Sequence, residues 1–315
     1  MESFEGRLAV VTGGGTGMGR ELVVQLAAQG CSVATCDVNL DTLAITQKLA
    51  TEGAPLGVSI TVHECNVAEA DQMDRFAAEV LDQHATDHVD LVFNNAGIGG
   101  GGSFVNDTRE AWERTFGVCW GGVYNGCRSF LPLLIASESG ALVNTSSVNG
   151  FWASVGPGVS HTAYSAAKFA VKGLSEALIE DLSINAPHVS VHVVMPGHIG
   201  TDIVLNSRRI HGGGNELGPD EIAAVRANAA RRGMPMDEAT DEEVAQLVQA
   251  MGEGFRDLAP MSAAEASAVI LDGVKAGRWR ILVGDDAHKL DEAVRKDPEH
   301  AYDPGGLTLG ILGAG

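Results

Sequence analysis

Basic residues are scarce in this sequence, which has 21 Lys and Arg against 41 Asp and Glu and a formal net charge of -20 at pH 7. Such an excess of negative charge repels the phosphate backbone of nucleic acids and the headgroups of anionic lipids. We therefore expect neither a nucleic acid nor a membrane surface among the partners of this protein.

The sequence also lacks long apolar runs and clustered cysteines. No stretch approaches the ~20 apolar residues that span a bilayer, and the first ten residues, MESFEGRLAV, have no basic leader before an apolar segment. The five cysteines form no CxxC pair and no Cys/His cluster with zinc spacing. We expect a soluble, cytoplasmic protein with reduced thiols and no metal site.

What the sequence does contain is an alternation of apolar, β-branched runs with longer segments of helical period. The predicted strands are Leu8–Thr12, Ser32–Asp37, Val58–Glu64, Leu91–Asn94, Ala141–Thr145, Val189–Val194 and Arg280–Val283. The predicted helices begin near Gly17, Leu40, Glu69, Thr108, Thr162 and Ala263. Continuously apolar strands indicate burial on both faces, so the expected fold is α/β, a Rossmann-type doubly wound parallel sheet.

The alternation stops between Asp202 and Pro260. We interpret this stretch as a lid over the carboxyl edge of the sheet rather than a separate domain. Its soft apolar side chains suit an adaptable pocket or the buried underside of a helix; they are Met234, Met236, Met251, Phe255 and Met261. The predicted organisation is a single domain over residues 1–285, with the lid at about 202–260, followed by a C-terminal extension over residues 286–315.

Glycines are concentrated between the first strand and the first helix, where the sequence reads VVTGGGTGMGREL. They permit a tight turn at which backbone N–H groups and the helix N-terminus meet a diphosphate. Asp37 ends the second strand, about 20 residues further on, where a carboxylate accepts both hydroxyls of an adenosine ribose. This charge repels a 2'-phosphate and no neighbouring residue supplies a cation, so NAD is favoured over NADP. Two alternatives stay open here: Asp37 as a helix N-cap, and the similar order found in methyltransferases that bind S-adenosylmethionine.

A candidate catalytic pair lies in the segment HTAYSAAKFAVKGL. Tyr164 and Lys168 are four residues apart in a helical pattern, so both side chains rise from one face. A nearby positive charge stabilises a phenolate and lowers the pKa of the phenol, which makes Tyr164 a candidate general base. Ser146 and Ser147 follow a buried strand, at the edge where open α/β sheets bind ligands.

Together these motifs resemble the short-chain dehydrogenase/reductase family over residues 6 to about 202, with the family's last helix and strand near 262–284. The matching segments are TGGGTGMG, NNAG, the SS pair, YSAAK and MPGHIGT. The resemblance excludes the methyltransferase alternative. It implies hydride transfer between a nicotinamide and an alcohol or ketone carbon, and oligomers formed through the helices around residues 112–135 and 164–181.

The resemblance also assigns roles to residues. Ser147 would bind the substrate oxygen, Tyr164 would move the proton, and Lys168 would hold the nicotinamide ribose and lower the pKa of Tyr164. The cofactor-binding residues it implies are Gly13, Thr16, Gly17, Met18, Asp37, Asn66, Val67, Asn94, Ala96, Gly97, Tyr164, Lys168, Pro196, Gly197, Ile199 and Thr201. Asn66 stands where the family usually has Asp, and an amide still hydrogen-bonds an adenine edge.

The segment between Ser147 and Tyr164 is about four residues longer than the family usually has. It carries Phe151 and Trp152, which either form an apolar wall of the substrate pocket or anchor a surface loop to the core. With the lid, they favour a bulky hydrophobic secondary alcohol or ketone. Because Tyr164 and Lys168 already supply the proton, no histidine is assigned a catalytic role.

Cys119 is a departure from the family pattern, which usually has asparagine at this position. Three interpretations stay open: an inert packing residue, a reactive thiol, or a replaced fourth member of the catalytic set. The reactive thiol is disfavoured because no Lys, Arg or His flanks it. The substitution also motivates the alternative function, a non-catalytic NAD-binding protein on the same fold.

Overall fold

The computed structural model describes residues 1–156, 159–211, 217–231, 233–303 and 307. The strands are β1 (Leu8–Thr12), β2 (Ser32–Asp37), β3 (Ile60–Glu64), β4 (Leu91–Asn94), β5 (Gly140–Thr145), β6 (Val189–Pro196), β7 (Ile199–Gly200), β8 (Met261–Ser262) and β9 (Arg280–Val283). The helices are α1 (Gly17–Ala28), α2 (Leu40–Gly53), α3 (Ala70–Gln83), α4 (Arg109–Phe116), α5 (Gly122–Ile135), α6 (Thr162–Asn185), α7 (Ile203–Ile210), α8 (Pro219–Arg231), α9 (Asp241–Asp257), α10 (Ala263–Lys275) and α11 (Asp285–Lys296).

The central sheet is parallel and has seven strands in the order β3-β2-β1-β4-β5-β6-β9. The chain adds strands on one side of β1 and then on the other side, beginning with β4, so the strand order switches direction between β1 and β4. This switch point leaves a crevice at the carboxyl ends of the two strands. The expected doubly wound parallel sheet is therefore confirmed. The seven strands of this sheet begin and end close to the predicted positions, except that β3 starts at Ile60, because Val58 forms a turn with Pro55. The short strands β7 and β8, which pair with each other, were not predicted.

Helices cover both faces of the sheet, as the continuously apolar strands require. On one face α1 and α10 pack through Leu22, Leu26 and Ile270. On the other face α3 and α5 pack through Phe76 and Phe130, whose rings meet edge to face with centroids 5.3 Å apart. Within the described residues, no helix combines the length and the apolar character needed to cross a membrane.

Residues of the predicted lid and of the predicted C-terminal extension, called the lid and the extension below, both contact segments at the carboxyl edge of the sheet. The lid contributes α7, α8 and α9; Asn206 on α7 donates from Nδ2 to Thr16 Oγ1 (3.0 Å), so this helix is joined to the glycine-rich turn. The extension begins with α11 and packs on the segment that follows β5. Residues 212–216 and 232 of the predicted lid, and residues 304–306 and 308–315 of the predicted extension, lie outside the described residues.

Candidate functional site

The glycine-rich turn fits tightly against the residues that follow β4. Gly13 and Gly17 have positive φ angles of 70° and 55°, a conformation that side chains rarely adopt. A Cβ atom on Gly13 would lie 2.8 Å from Ala96 Cα, so a larger residue would push the two segments apart. Thr12 Oγ1 fixes the same junction by accepting hydrogen bonds from the backbone N–H groups of Asn95 (3.0 Å) and Ala96 (3.1 Å).

A cleft of about 1050 Å³ opens between this turn and the lid. The lid side of the cleft is formed by Ile203, Asn206, Arg209 and Ile210. Ten of the residues that the resemblance assigned to the cofactor line it: Gly13, Thr16, Gly17, Met18, Asp37, Asn66, Val67, Ala96, Gly97 and Thr201. The structure thus brings these residues, which span most of the sequence, to one concave surface at the switch point of the sheet.

Asp37 lies at the end of β2 and faces the glycine-rich turn. Its carboxylate accepts hydrogen bonds from the N–H groups of Gly15 (3.0 Å) and Asn39 (3.2 Å). Burial raises the pKa of Asp37, and the hydrogen bond from Gly15 opposes that shift. The helix N-cap of α2 is Asn39, whose side chain accepts from Thr42 N (3.2 Å), so the interpretation of Asp37 as that N-cap is wrong. A carboxylate beside backbone donors fits the ribose and diphosphate of a dinucleotide.

Some implied cofactor residues lie away from the cleft. Asn94 is 1% exposed and its Nδ2 donates to Asn144 Oδ1 (2.9 Å) inside the sheet. The neighbouring Asn95 lines the cleft instead, and its Nδ2 donates to Thr12 O (3.1 Å). The sequence signal for Asn95 was present in NNAG, but only the alternation of side chains along β4 decides which asparagine faces outward.

The segment Pro196 to Ile199 is fixed from two sides. Asp286, the second residue of α11, accepts the backbone N–H of His198 at 2.6 Å, and a Cβ atom on Gly197 would lie 2.3 Å from the Asp286 carboxylate. The His198 ring packs on Phe255 of the lid, with centroids 4.4 Å apart, and its Nε2 lies 2.6 Å from Phe255 O. Sequence reasoning did not identify Asp286 or His198 as supports of this segment, because their partners are 57 to 88 residues away.

The side chains of Ser147, Tyr164 and Lys168 converge at the carboxyl end of β5. The Lys168 ammonium lies 5.3 Å from the centroid of the Tyr164 ring and donates to Thr145 O at 2.8 Å. Ser147 Oγ accepts the backbone N–H of Asn149 (3.1 Å), so its hydroxyl proton is free to donate.

The adjacent serine has a different environment. Ser146 is 1% exposed and its hydroxyl donates to the backbone carbonyl of Lys168 at 2.7 Å. This bond joins β5 to α6, the helix that carries Tyr164. The geometry therefore separates the two serines, with Ser146 bonded to backbone and Ser147 turned toward the phenol.

Burial dominates the electrostatics of this constellation. It raises the pKa of the Tyr164 phenol, whereas a hydrogen bond with Ser147 lowers it. Burial also lowers the pKa of Lys168. Both shifts have the same origin, because removing a charged group from water disfavours its ionised form.

Cys119 lies in a π-helical turn, Gly117–Gly121, between α4 and α5. It is fully buried; its thiol donates to Ile98 O (3.1 Å) and accepts from Ile98 N (3.5 Å). These are the donor and acceptor functions that an asparagine amide would supply. Burial raises the pKa of Cys119, which disfavours the reactive-thiol interpretation.

Phe151 and Trp152 lie against the C-terminal extension. Trp152 is 1% exposed and packs in a cluster with Val148, Leu290 and Ala301. Phe151 packs on the edge of the same cluster, and the Arg280 guanidinium lies 5.6 Å from the centroid of its ring. The long segment after Ser147 is thus anchored by aromatic side chains to residues near the end of the chain.

Comparisons with known proteins agree with this geometry. Residues 7–210 match the model of the family described as short chain dehydrogenase. SadH of Mycobacterium tuberculosis, which carries the name of an oxidoreductase, is 34% identical over 94% of this chain and 92% of its own. Cyclohexanol dehydrogenase of Acinetobacter sp. is 31% identical over 71% of this chain and 87% of that enzyme. The crystal structure of a short-chain dehydrogenase/reductase from Burkholderia phymatum, in complex with NAD, has a TM-score of 0.76 at 24% identity and covers 96% of this chain and 98% of its own.

Proposed function

Since this chain belongs to the short-chain dehydrogenase family, we propose that it is an oxidoreductase that transfers a hydride between a hydrophobic secondary alcohol, or the corresponding ketone, and NAD. The observation that carries the proposal is the convergence of Ser147, Tyr164 and Lys168 at the carboxyl end of β5. The three residues adjoin the cleft through Gly97, since a Cβ atom on Gly97 would lie 3.5 Å from Lys168 Nζ. When bound, the nicotinamide would supply the hydride acceptor in the oxidation, as NAD, and the hydride donor in the reduction, as NADH.

The remaining chemistry belongs to the side chains. In the oxidation, the alcohol O–H proton passes to the Tyr164 phenolate while the carbinol hydrogen leaves as hydride. The Ser147 hydroxyl donates a hydrogen bond to the substrate oxygen and holds it in line with Tyr164. The charge of Lys168, 5.3 Å from the centroid of the Tyr164 ring, favours the phenolate over the phenol and so opposes the effect of burial.

Asp37 supports NAD rather than NADP as the cofactor. Its carboxylate is held at the cleft by two backbone N–H groups, where it suits the ribose hydroxyls and repels a 2'-phosphate. Arg20 is the basic residue of α1, the helix that follows the glycine-rich turn. Its guanidinium donates from Nε to Thr46 Oγ1 at 3.0 Å and also donates to Gly15 O. Arg20 is therefore engaged with protein atoms rather than free for a phosphate.

The cyclohexanol dehydrogenase relative supports an alicyclic substrate class. The same proposal includes a homo-oligomer, because α5 and α6 expose Tyr124, Ile135 and Phe169 (46%, 41% and 42%) on the helices expected to pair between subunits.

The direct test is to incubate the purified protein with NAD and a panel of alicyclic and aryl secondary alcohols and to measure NADH. Tyr164→Phe should lower kcat by at least ~100-fold, in the range of lost general acid–base catalysis. Tyr124→Phe is the matched control, since Tyr124 is 46% exposed, lies outside the site, and keeps its ring at the proposed subunit contact after the change. Near-full activity in Tyr164→Phe would refute the mechanism, and tight NAD binding without turnover of any alcohol or ketone would refute the enzymatic function.

A further inference from the structure

His161 lies directly beside the proposed general base. It occupies the N-cap position of α6, three residues before Tyr164. The centroids of the two rings are 4.8 Å apart and their planes meet at 74°. The imidazole is therefore in contact with the phenol that the proposed function places against the substrate oxygen.

The Nε2 atom of His161 is buried and has no hydrogen-bond partner among the described residues. Burial lowers the pKa of His161 to about 4, so the ring is neutral near pH 7. A neutral imidazole has one N–H donor and one acceptor nitrogen. Leaving such an atom buried and unpaired costs free energy, and its persistence in a folded protein requires an explanation.

A buried ring nitrogen without a hydrogen-bond partner is an exception among the histidines of the described residues. The three most deeply buried ones in the described part of the chain, His63, His192 and His198, are 3%, 1% and 7% exposed. Each has a ring nitrogen within hydrogen-bond distance of a partner: Glu79 Oε2 at 2.7 Å, Arg278 O at 2.7 Å and Phe255 O at 2.6 Å, respectively. The fold thus pairs its buried imidazoles with protein atoms, and His161, against the catalytic tyrosine, is left with an unused polar atom.

We propose that His161 is a specificity-determining residue whose Nε2 hydrogen-bonds a second oxygen atom of the substrate, adjacent to the alcohol or ketone that Tyr164 and Ser147 engage. This inference rests on the proposed function and narrows its substrate class. The preferred substrates are vicinal diols, hydroxyketones or diketones on an apolar skeleton, rather than simple alcohols. A substrate without the second oxygen leaves the buried nitrogen unpaired in the complex, and a site of this kind discriminates against such an analogue.

The experiment compares two pairs of substrates that differ by one oxygen. Cyclohexanol and cyclohexane-1,2-diol are oxidised with NAD, and cyclohexanone and cyclohexane-1,2-dione are reduced with NADH, with kcat/KM measured for each. The wild-type protein should prefer the substrates with two oxygens by about tenfold or more. His161→Leu should remove this preference by lowering kcat/KM for the two-oxygen substrates by about tenfold, while that for the single-oxygen substrates stays within about twofold.

His161→Gln and His288→Leu complete the design. Glutamine keeps a donor and an acceptor, so it should retain part of the preference for two oxygens. His288 is exposed on α11, and its replacement should leave kcat/KM unchanged for all four substrates. If His161→Leu fails to fold, the proposal is still tested by the preference of the wild-type protein for two-oxygen substrates and by the change of that preference in His161→Gln.

The outcomes separate the two proposals. Turnover by the wild-type protein with no preference for a second oxygen overturns the role of His161 and leaves the proposed function intact. An equal loss of kcat/KM on both members of each substrate pair in His161→Leu also overturns this role, because His161 would then act only through the packing of Tyr164. Absence of turnover with every alcohol and ketone refutes the proposed function, and the inference with it.

Discussion

Trp152 Nε1 donates a hydrogen bond to the backbone carbonyl of Ala301, 2.9 Å away and 149 residues later in the chain. The bond is buried and joins the segment that follows Ser147 to the C-terminal extension. A second bond supports the same junction, from the Ala153 N–H to the Tyr302 hydroxyl at 3.0 Å. The extension therefore stabilises the loop on which the proposed substrate-binding serine depends.

We expect Trp152→Phe to lower the free energy of unfolding by about 1–3 kcal/mol, since it leaves the buried Ala301 carbonyl unpaired. Thermal denaturation measures the effect. Trp279→Phe is the control, because Trp279 is 45% exposed and its replacement should change stability by less than ~0.5 kcal/mol. Equal changes in the two variants would show that the extension does not stabilise this loop.

Replacement of Asp37 should weaken the choice between the two nicotinamide cofactors. Asp37→Ser removes the carboxylate at the cleft, so we expect KM for NAD to rise and the preference for NAD over NADP to fall by about tenfold, or ~1.4 kcal/mol. Initial rates with both cofactors measure this, and Asp71→Ser, an exposed carboxylate on α3, is the control. An unchanged cofactor ratio would contradict the role of Asp37.

The pH dependence of the oxidation should depend on Lys168. Burial raises the pKa of Tyr164, and loss of a neighbouring positive charge raises it further. Because the base must be deprotonated, the pH at which kcat/KM for alcohol oxidation rises should move upward in Lys168→Met. A pH–rate profile measures the shift, and Lys168→Arg should keep the profile closer to that of the wild type. A profile in Lys168→Met that coincides with the wild type would contradict this coupling.

Cys119 should tolerate replacement by the residue that the family usually has. Cys119→Asn preserves a donor and an acceptor toward Ile98, so we expect the rate to change by no more than about tenfold, or ~1.4 kcal/mol. Because burial raises the pKa of Cys119, a thiol-alkylating reagent should not modify it in the folded protein. Peptide mapping after alkylation and steady-state kinetics test both statements; a change of several orders of magnitude would contradict the first.

His161 should make the protein less stable in mild acid. Its pKa is about 4 in the folded state and about 6.5 when unfolded, so the unfolded state binds more protons between these values. The contribution of neutral His161 to the free energy of unfolding is therefore fully present above pH ~6.5 and is lost as the pH falls toward ~4. Melting temperatures of wild-type and His161→Leu protein at about pH 7 and pH 5 should show a smaller loss in the variant. Identical losses would indicate that His161 titrates normally.

The strands of the central sheet, the helices α1, α2, α3, α4, α6 and α10, and the glycine-rich turn could be predicted from the sequence alone, as could the place of Asp37 at the end of β2 and the helical spacing of Tyr164 and Lys168. These features depend on local periodicity and on spacing within one helix or one turn, which short-range physics sets. Only the tertiary structure shows which of Asn94 and Asn95 faces the cleft, where Trp152 packs, and that the buried Nε2 atom of His161 has no hydrogen-bond partner among the described residues. Those outcomes depend on contacts between residues far apart in the chain, and burial exists only once the elements have packed.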